Sequence, residues 1–388
     1  MTHPALNPNV ALSPVEGGYL AYDFTNDILH ELNAMGALIA ELCDGRRSVE
    51  EIRALAGPLM PEERAGEIDR WIGEGIEAGL LVWGDGAAVK PRELTAEELT
   101  GLAEKISGNG LTETSFHCRK RVTELTPEDS NAWFALGFAA QATGRREEAR
   151  DAFAKYLEFQ PEDAAIRQIL TALRDEAPPP RAPDECILQI FREFSSHYDS
   201  KMRESLRYQA PERLQELIRA EIGDAAGLEI LDLGCGTGLA GVGLKERAAR
   251  LVGVDLSSEM IEQARERGIY DQLEVAEITG WLDQTTAQFD LIVCCDCLVY
   301  FGDLHPVATG AARRLRPGGW FAFTAERGEI YPFHLADSGR YTHHRDHVRE
   351  VAAKAGLLVV RLDEGFLRTE RGVEVTGLLA LLRKAGGV

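Results

Sequence analysis

Five short apolar runs, LEILDL, LVGVDL, LEVAEI, FDLIVC and WFAFTA, recur between residues 228 and 325, and amphipathic stretches of helical period separate them. A strand buried on both faces reads as such a run, and a helix between runs is the connection that a parallel pair requires. The pattern predicts a doubly wound α/β, Rossmann-like sheet of seven strands. LLVVRLDEG and VTGLLALLRK follow without a helix between them, so one is expected to run antiparallel at the sheet edge. Upstream, DEAPPPRAPDE at 175–185 reads as an extended, semi-rigid spacer. A chain of 388 residues is too long for one core, and the spacer marks a domain boundary.

Before the spacer, residues 130–163 carry Trp133, Leu136, Gly137, Gly144, Ala149, Phe153 and Pro161. These fall where a tetratricopeptide repeat of about 34 residues puts its aromatic, small and proline positions. Residues 96–129 match less closely, and IRQILTALR reads as a capping helix. The segment is either a helical hairpin that packs domains together or a separate peptide-binding groove. Further upstream, NVALSPVEGGYLAYDFTNDILHELN suggests a small antiparallel sheet. AMGALIAELCDG is helical and stops at Gly45; Ser48 and Glu51 have capping-box spacing; WIGEGIEAGLLV supplies a last helix and strand. Strands followed by three helices describe a winged-helix-like α+β module. The expected domains are 1–90, 91–176 and 177–388, with 177–222 a helical lid.

The chain has 63 acidic and 42 basic residues, a formal net charge of −21. Such a surface repels phosphate backbones, which argues against nucleic acid, and favours a basic peptide or a cationic cofactor. No apolar stretch reaches the roughly 20 residues of a membrane span, and MTHPALNPNV is no signal peptide. Seven cysteines, three of them at 294, 295 and 297, are an odd number without a disulfide framework, so a reduced, cytoplasmic protein is expected. CCDC lacks the second pair of ligands that a metal site needs, and no metal is expected.

Residues 231–238, LDLGCGTG, place three glycines between a strand and a helix. A dinucleotide fingerprint wants glycine at 239, where Leu239 stands; a Walker loop wants a lysine that is absent. About twenty residues on, a second strand ends in Asp255, and a carboxylate at a strand tip accepts both hydroxyls of a ribose. Facing a cleft, Asp255 is expected to contribute little packing, so that its loss spares the fold.

On these motifs residues 228–324 resemble class I S-adenosylmethionine-dependent methyltransferases. The resemblance implies S-adenosyl-L-methionine as cofactor, with Asp232, Gly234, Cys235 and Gly236 against its methionyl part and Asp255 on the ribose. It puts Leu256, Met260, Glu277 and Ile278 around the adenine and Asp296 by the methionyl amine. IFREFSSHYDSKMRESLRYQAPERL, YFGDL and SGRYTHHRDHV resemble a bacterial group that often follows tetratricopeptide repeats, in which the upstream helix lids the cofactor; Tyr198 is the candidate contact. Tyr300 and His343 are candidates to orient or deprotonate an acceptor. His344 is a further cleft candidate that also reads as a helix cap, and Arg340 pairs either a substrate carboxylate or a neighbouring acid.

LNAMGALIAELCDGRRSVEEI at 32–52 and GLLV at 79–82 resemble the PqqD family of precursor-peptide recognition elements. In that family a leader peptide adds a strand to the sheet edge, here Ile28, Leu29, His30 and Leu32, beside a helix at 64–78. The combined reading is a methyltransferase of ribosomally made precursor peptides, partnered by leader plus core and by other peptide-modifying enzymes, with neither nucleic acid nor membrane. The alternative is a small-molecule methyltransferase whose front end serves oligomerisation or docking.

Overall fold

The computed structural model describes residues 3–59, 66–87, 92–108, 112–174, 176–194, 199, 206–370 and 372–386. The chain divides into two compact units, Met1–Gln160 and Pro161–Val388. The division falls inside the helical stretch 91–176 that the sequence treats as one segment. No helix among the described residues is long and apolar enough to cross a membrane.

In the first unit β1 (His3–Leu6) pairs antiparallel with β5 (Leu81–Gly84). Strands β2 (Val10–Val15), β3 (Gly18–Asp23) and β4 (Ile28–Asn33) form an antiparallel meander, and β6 (Arg92–Glu93) joins β2 in parallel. The order β4-β3-β2-β6 leaves β4 at an edge. Alternate residues of a strand point to opposite faces, and here both faces are covered. Val10, Leu12 and Ala21 enter a core with α1 (Ala34–Leu42), α2 (Val49–Ala56) and α3 (Glu67–Glu77). Ala11 and Leu20 enter another with Leu99, Leu102 and Ile106 of α4 (Ala96–Ser107) and Cys118 and Val122 of α5 (Thr112–Leu125). The capping box at Ser48 and Glu51 forms as its spacing predicts, and α3 packs on α1, α2 and β5.

Helices α6 (Ser130–Ala142) and α7 (Arg146–Phe159) pack on each other around Gly137. A Cβ there would stand 2.5 Å from the Phe153 ring, so glycine is what permits the approach.

The second unit begins with α8 (Ala164–Leu173), α9 (Asp184–Phe194) and α10 (Ala210–Ile222). The sheet follows: β7 (Leu228–Leu233), α11 (Leu239–Leu244), β8 (Ala248–Asp255), α12 (Ser258–Glu266), β9 (Gln272–Val275), α13 (Ile278–Gln284), β10 (Phe289–Cys294), α14 (His305–Arg314) and β11 (Leu315–Arg327). Then come β12 (Phe333–Leu335), β13 (Tyr341–His343), α15 (Arg345–Lys354), β14 (Leu357–Glu370) and β15 (Val373–Lys384). The main order is β14-β15-β11-β10-β7-β8-β9, with β7 to β11 mutually parallel. The chain reverses between β10 and β8 across β7, which opens a crevice at the carboxyl ends of the strands.

Two expectations need correction. Among the described residues the sheet has nine strands, because YPFHL and RYTH form the β12–β13 hairpin, and β13 pairs with the far end of β11. The antiparallel strand β15 lies one position in from the edge, which β14 occupies; β14 and β15 pair directly, without a crossover.

The proline segment is not a free spacer. Gly302 N–H and Asp303 N–H donate to the Pro180 carbonyl at 2.9 Å each, Ala182 N–H donates to the Tyr300 carbonyl at 2.8 Å, and Tyr341 Oη donates to the Pro179 carbonyl. A proline-fixed backbone keeps its carbonyls as acceptors, and this strap uses them to bind the loop after β10.

Candidate active site

The glycine loop turns directly off β7. Gly234 has φ +67°, and a Cβ there would stand 2.5 Å from Cys297 Sγ, so neither the conformation nor the space admits another residue cheaply. One strand over, β8 ends in Asp255, which is 7% exposed. Its Oδ2 accepts the Gly236 N–H at 2.8 Å and its Oδ1 the Ser257 N–H at 2.9 Å. The carboxylate therefore moors the loop, which corrects the expectation that its loss would spare the fold. Burial nevertheless pushes the Asp255 carboxyl above its usual range.

Asp232, on β7, is fully buried, and burial raises its carboxyl to about 7. Tyr270 Oη donates to its Oδ2 at 2.7 Å, while its Oδ1 has no partner among the described residues. Glu277 caps α13, accepting from Thr279 and Gly280 N–H; burial opposes its charge, but these bonds hold its carboxyl below the usual range. Asp296, just after β10, sits at φ +54° with its N–H on Thr324 Oγ1 at 2.8 Å. A cavity runs along these strand ends, lined by Gly234, Cys235, Gly236, Asp255, Leu256, Glu277, Ile278, Asp296 and Tyr300. Its other wall is Arg181 of the strap, Ile187 and Phe191 of α9, and Tyr208.

Residues 230–319 match the family model described as methyltransferase domain. The second unit carries a class I S-adenosylmethionine-dependent methyltransferase domain. The chain is 28% identical over 182 residues to the ubiquinone biosynthesis O-methyltransferase of Idiomarina loihiensis, covering 40% of this chain and 74% of that one. The enzyme of that name from Alkalilimnicola ehrlichii is 31% identical over 107 residues, 26% of this chain and 43% of that one. The chain thus spans less than half of the second relative's length. Among solved structures, the N-methyltransferase NodS from Bradyrhizobium japonicum WM9 in complex with S-adenosyl-L-homocysteine is 20% identical. It aligns at TM-score 0.41, over 51% of this chain and 97% of that one.

The methyltransferase domain has a site that suits its cofactor. S-adenosylmethionine carries a sulfonium and an ammonium, and the carboxylates of Asp255, Glu277 and Asp296 line the cavity. Bound there, the cofactor supplies a methyl group on a good leaving group. The protein's share is alignment and the exclusion of water, for which Phe191, Tyr300 and Phe301 wall the cavity.

Several candidates lie elsewhere. Met260 is 0% exposed, with its N–H on Ser257 Oγ, and lies on the buried side of α12 rather than among the residues lining the cavity. Asp232 stands behind the loop, not on the cavity wall. His343 is 0% exposed beside Phe333 and His347, away from the cavity, and burial lowers its imidazole to about 4. It is neither placed nor tuned as a base. His344 caps α15, its Nδ1 accepting from Asp346 N–H at 3.1 Å. Arg340 is ion-paired with Glu370 and lies 3.8 Å from Glu326, so neighbouring acids take it. Tyr300 does line the cavity, but burial raises its phenol to about 12, which suits a hydrogen-bond donor and not a base. Tyr198 lies outside the described residues. Sequence reasoning missed Arg181, Phe191, Tyr208 and Cys297; the only signal for the first was a cation inside a proline run.

Proposed function

We propose that this chain transfers a methyl group from S-adenosylmethionine to a ribosomally made precursor peptide whose leader adds a strand to β4. The observation behind this reading is the state of the small sheet. Helices cover both of its faces, while β4 is an edge strand with Ile28 44% exposed. An unpaired strand edge is a ready template for another chain, and a peptide added there gains backbone bonds, with side-chain pockets giving selection. Leu29 packs toward one covered face and Leu32 toward the other, so the exposed Ile28 is the residue a leader would meet first. Holding the leader raises the local concentration of the core peptide, to about millimolar for a short flexible link. In the transfer, an acceptor lone pair forms the new bond to carbon, the carbon–sulfur bond breaks with its electrons passing to sulfur, and any acceptor proton leaves to solvent.

The second reading, methylation of a small molecule, draws on the relatives named ubiquinone biosynthesis O-methyltransferase. One experiment separates the two. Precursor peptide is incubated with cofactor and either the full chain or its Ile28→Asp variant, and products are read by intact mass and fragmentation. The peptide reading expects a gain of one methyl mass that falls steeply in the variant. No methylated peptide, alongside turnover of small phenols that Ile28→Asp leaves unchanged, overturns it. Deleting residues 1–90 is the poorer test, because it strips Ala11 and Leu20 from the core of α4 and α5.

A further inference from the structure

Three carboxylates line the cofactor cavity, and their oxygens are not equally available. Both oxygens of Asp255 hold backbone N–H groups, and both oxygens of Glu277 hold the cap of α13. Asp296 differs. Arg368 Nη1 donates to its Oδ1 at 2.6 Å, and Oδ2 takes no hydrogen bond among the described residues. Arg368 comes from β14, its side chain 3% exposed, and its Nη2 donates to Glu326, which Arg340 approaches in turn. From the cavity outward the charges alternate: Asp296, Arg368, Glu326, Arg340, Glu370.

We infer that Arg368 is a positioning residue for the amino-acid end of the cofactor. It holds one oxygen of Asp296 so that the other is presented, fixed in place, to the cofactor's ammonium. Asp296 needs such a hold. It sits at φ +54°, an uncommon backbone conformation for a residue other than glycine, on a bend beyond the end of β10. The guanidinium ties Asp296 through Nη1 to Glu326 through Nη2, two fixed directions that the single ammonium of a lysine cannot reproduce. The nearest carboxylate behind Arg368, Glu326, is 10% exposed and keeps the guanidinium from swinging away.

The test compares two ligands on the full chain by calorimetry. S-adenosylhomocysteine has the amino-acid end; 5′-methylthioadenosine has the nucleoside and thioether without it. Arg368→Met should weaken S-adenosylhomocysteine by about ten-fold or more while 5′-methylthioadenosine stays within about two-fold. Asp296→Asn should give the same selective loss, and the double variant no more than Asp296→Asn alone, since one residue acts through the other. Should Arg368→Met fail to fold, Arg368→Lys keeps the buried charge without the fork and should show the same selectivity. Equal loss for both ligands, additive losses in the double variant, or an unchanged S-adenosylhomocysteine affinity in a folded variant overturns the assignment.

Discussion

Replacing Asp255 with Ala should damage the protein twice. Its carboxylate accepts two backbone N–H groups, at 2.8 and 2.9 Å, in a place 7% exposed to solvent. Hydrogen bonds to a charged acceptor contribute about 1.5–3 kcal/mol each, and a buried N–H left without an acceptor is costly. Against this, burial holds the Asp255 carboxyl above its ordinary range, so the charge is poorly solvated and its removal returns part of the loss. A net destabilisation of about 2–3 kcal/mol follows, and at about 2–4 °C per kcal/mol for a unit of this size the melting temperature should fall by about 5–10 °C. The strand-tip position proposed for the ribose predicts a second effect, a drop of about ten-fold or more in affinity for S-adenosylhomocysteine. Asp255→Asn keeps one acceptor oxygen and should fall between. Thermal unfolding followed by circular dichroism reads the first effect and calorimetry the second. A variant that melts with the wild type refutes the mooring of the glycine loop; one that melts early yet binds normally refutes the ribose assignment.

Acidification should weaken the second unit through His343. Its folded value, lowered to about 4 by burial, lies below the unfolded value of about 6.5, so the unfolded chain binds the extra proton and stability present above pH 6.5 is lost as pH falls toward 4. His347, lowered by burial and by His305, acts in the same direction. Urea unfolding at pH 7 and pH 5 should show a loss of about 2 kcal/mol at the lower pH, smaller in His343→Phe; identical pH slopes would count against it. Tyr300→Phe should slow methyl transfer by less than about ten-fold, because a phenol raised to about 12 is no base at neutral pH; a loss of a hundred-fold or more would restore the base role. In the first unit Gly137→Ala should cost about 1–3 kcal/mol in chemical denaturation, since its Cβ would press on Phe153. Gly101→Ala, on the open face of α4, should instead gain about 0.5–1 kcal/mol.

The parallel sheet and its glycine loop were legible because their residues are contiguous: an apolar strand, a turn of glycines and an acid at the next strand tip are read off one line of sequence. Edge order was harder. β15 carries the more apolar run, VTGLLALLRK, and that is the mark of an inner strand, whereas LLVVRLDEG keeps Leu358 62% exposed, as an edge can. Of the histidines of THHRDH, His344 takes the helix-cap reading, at the first turn of α15, whereas for His343 residue type suggests a base while its burial is set by a distant partner, Phe333. Arg340 was read as binding substrate or pairing an acid, and only the position of Glu326 and Glu370 decides between them. Arg368 was invisible for the same reason: 72 positions separate it from Asp296.

The strap of prolines also bears on how such a chain can be recombined. The matched family region begins at residue 230, yet Arg181, Ile187 and Phe191 supply a wall of the cavity, and Pro179 and Pro180 are tied to the loop at 300–303 and to Tyr341. A gene fusion cut at the start of the sheet would carry the glycine loop and leave one wall of the pocket behind. The smallest transplantable cassette therefore begins upstream of the strap, and insertions within 178–182 should be tolerated far less than the low complexity of that stretch suggests.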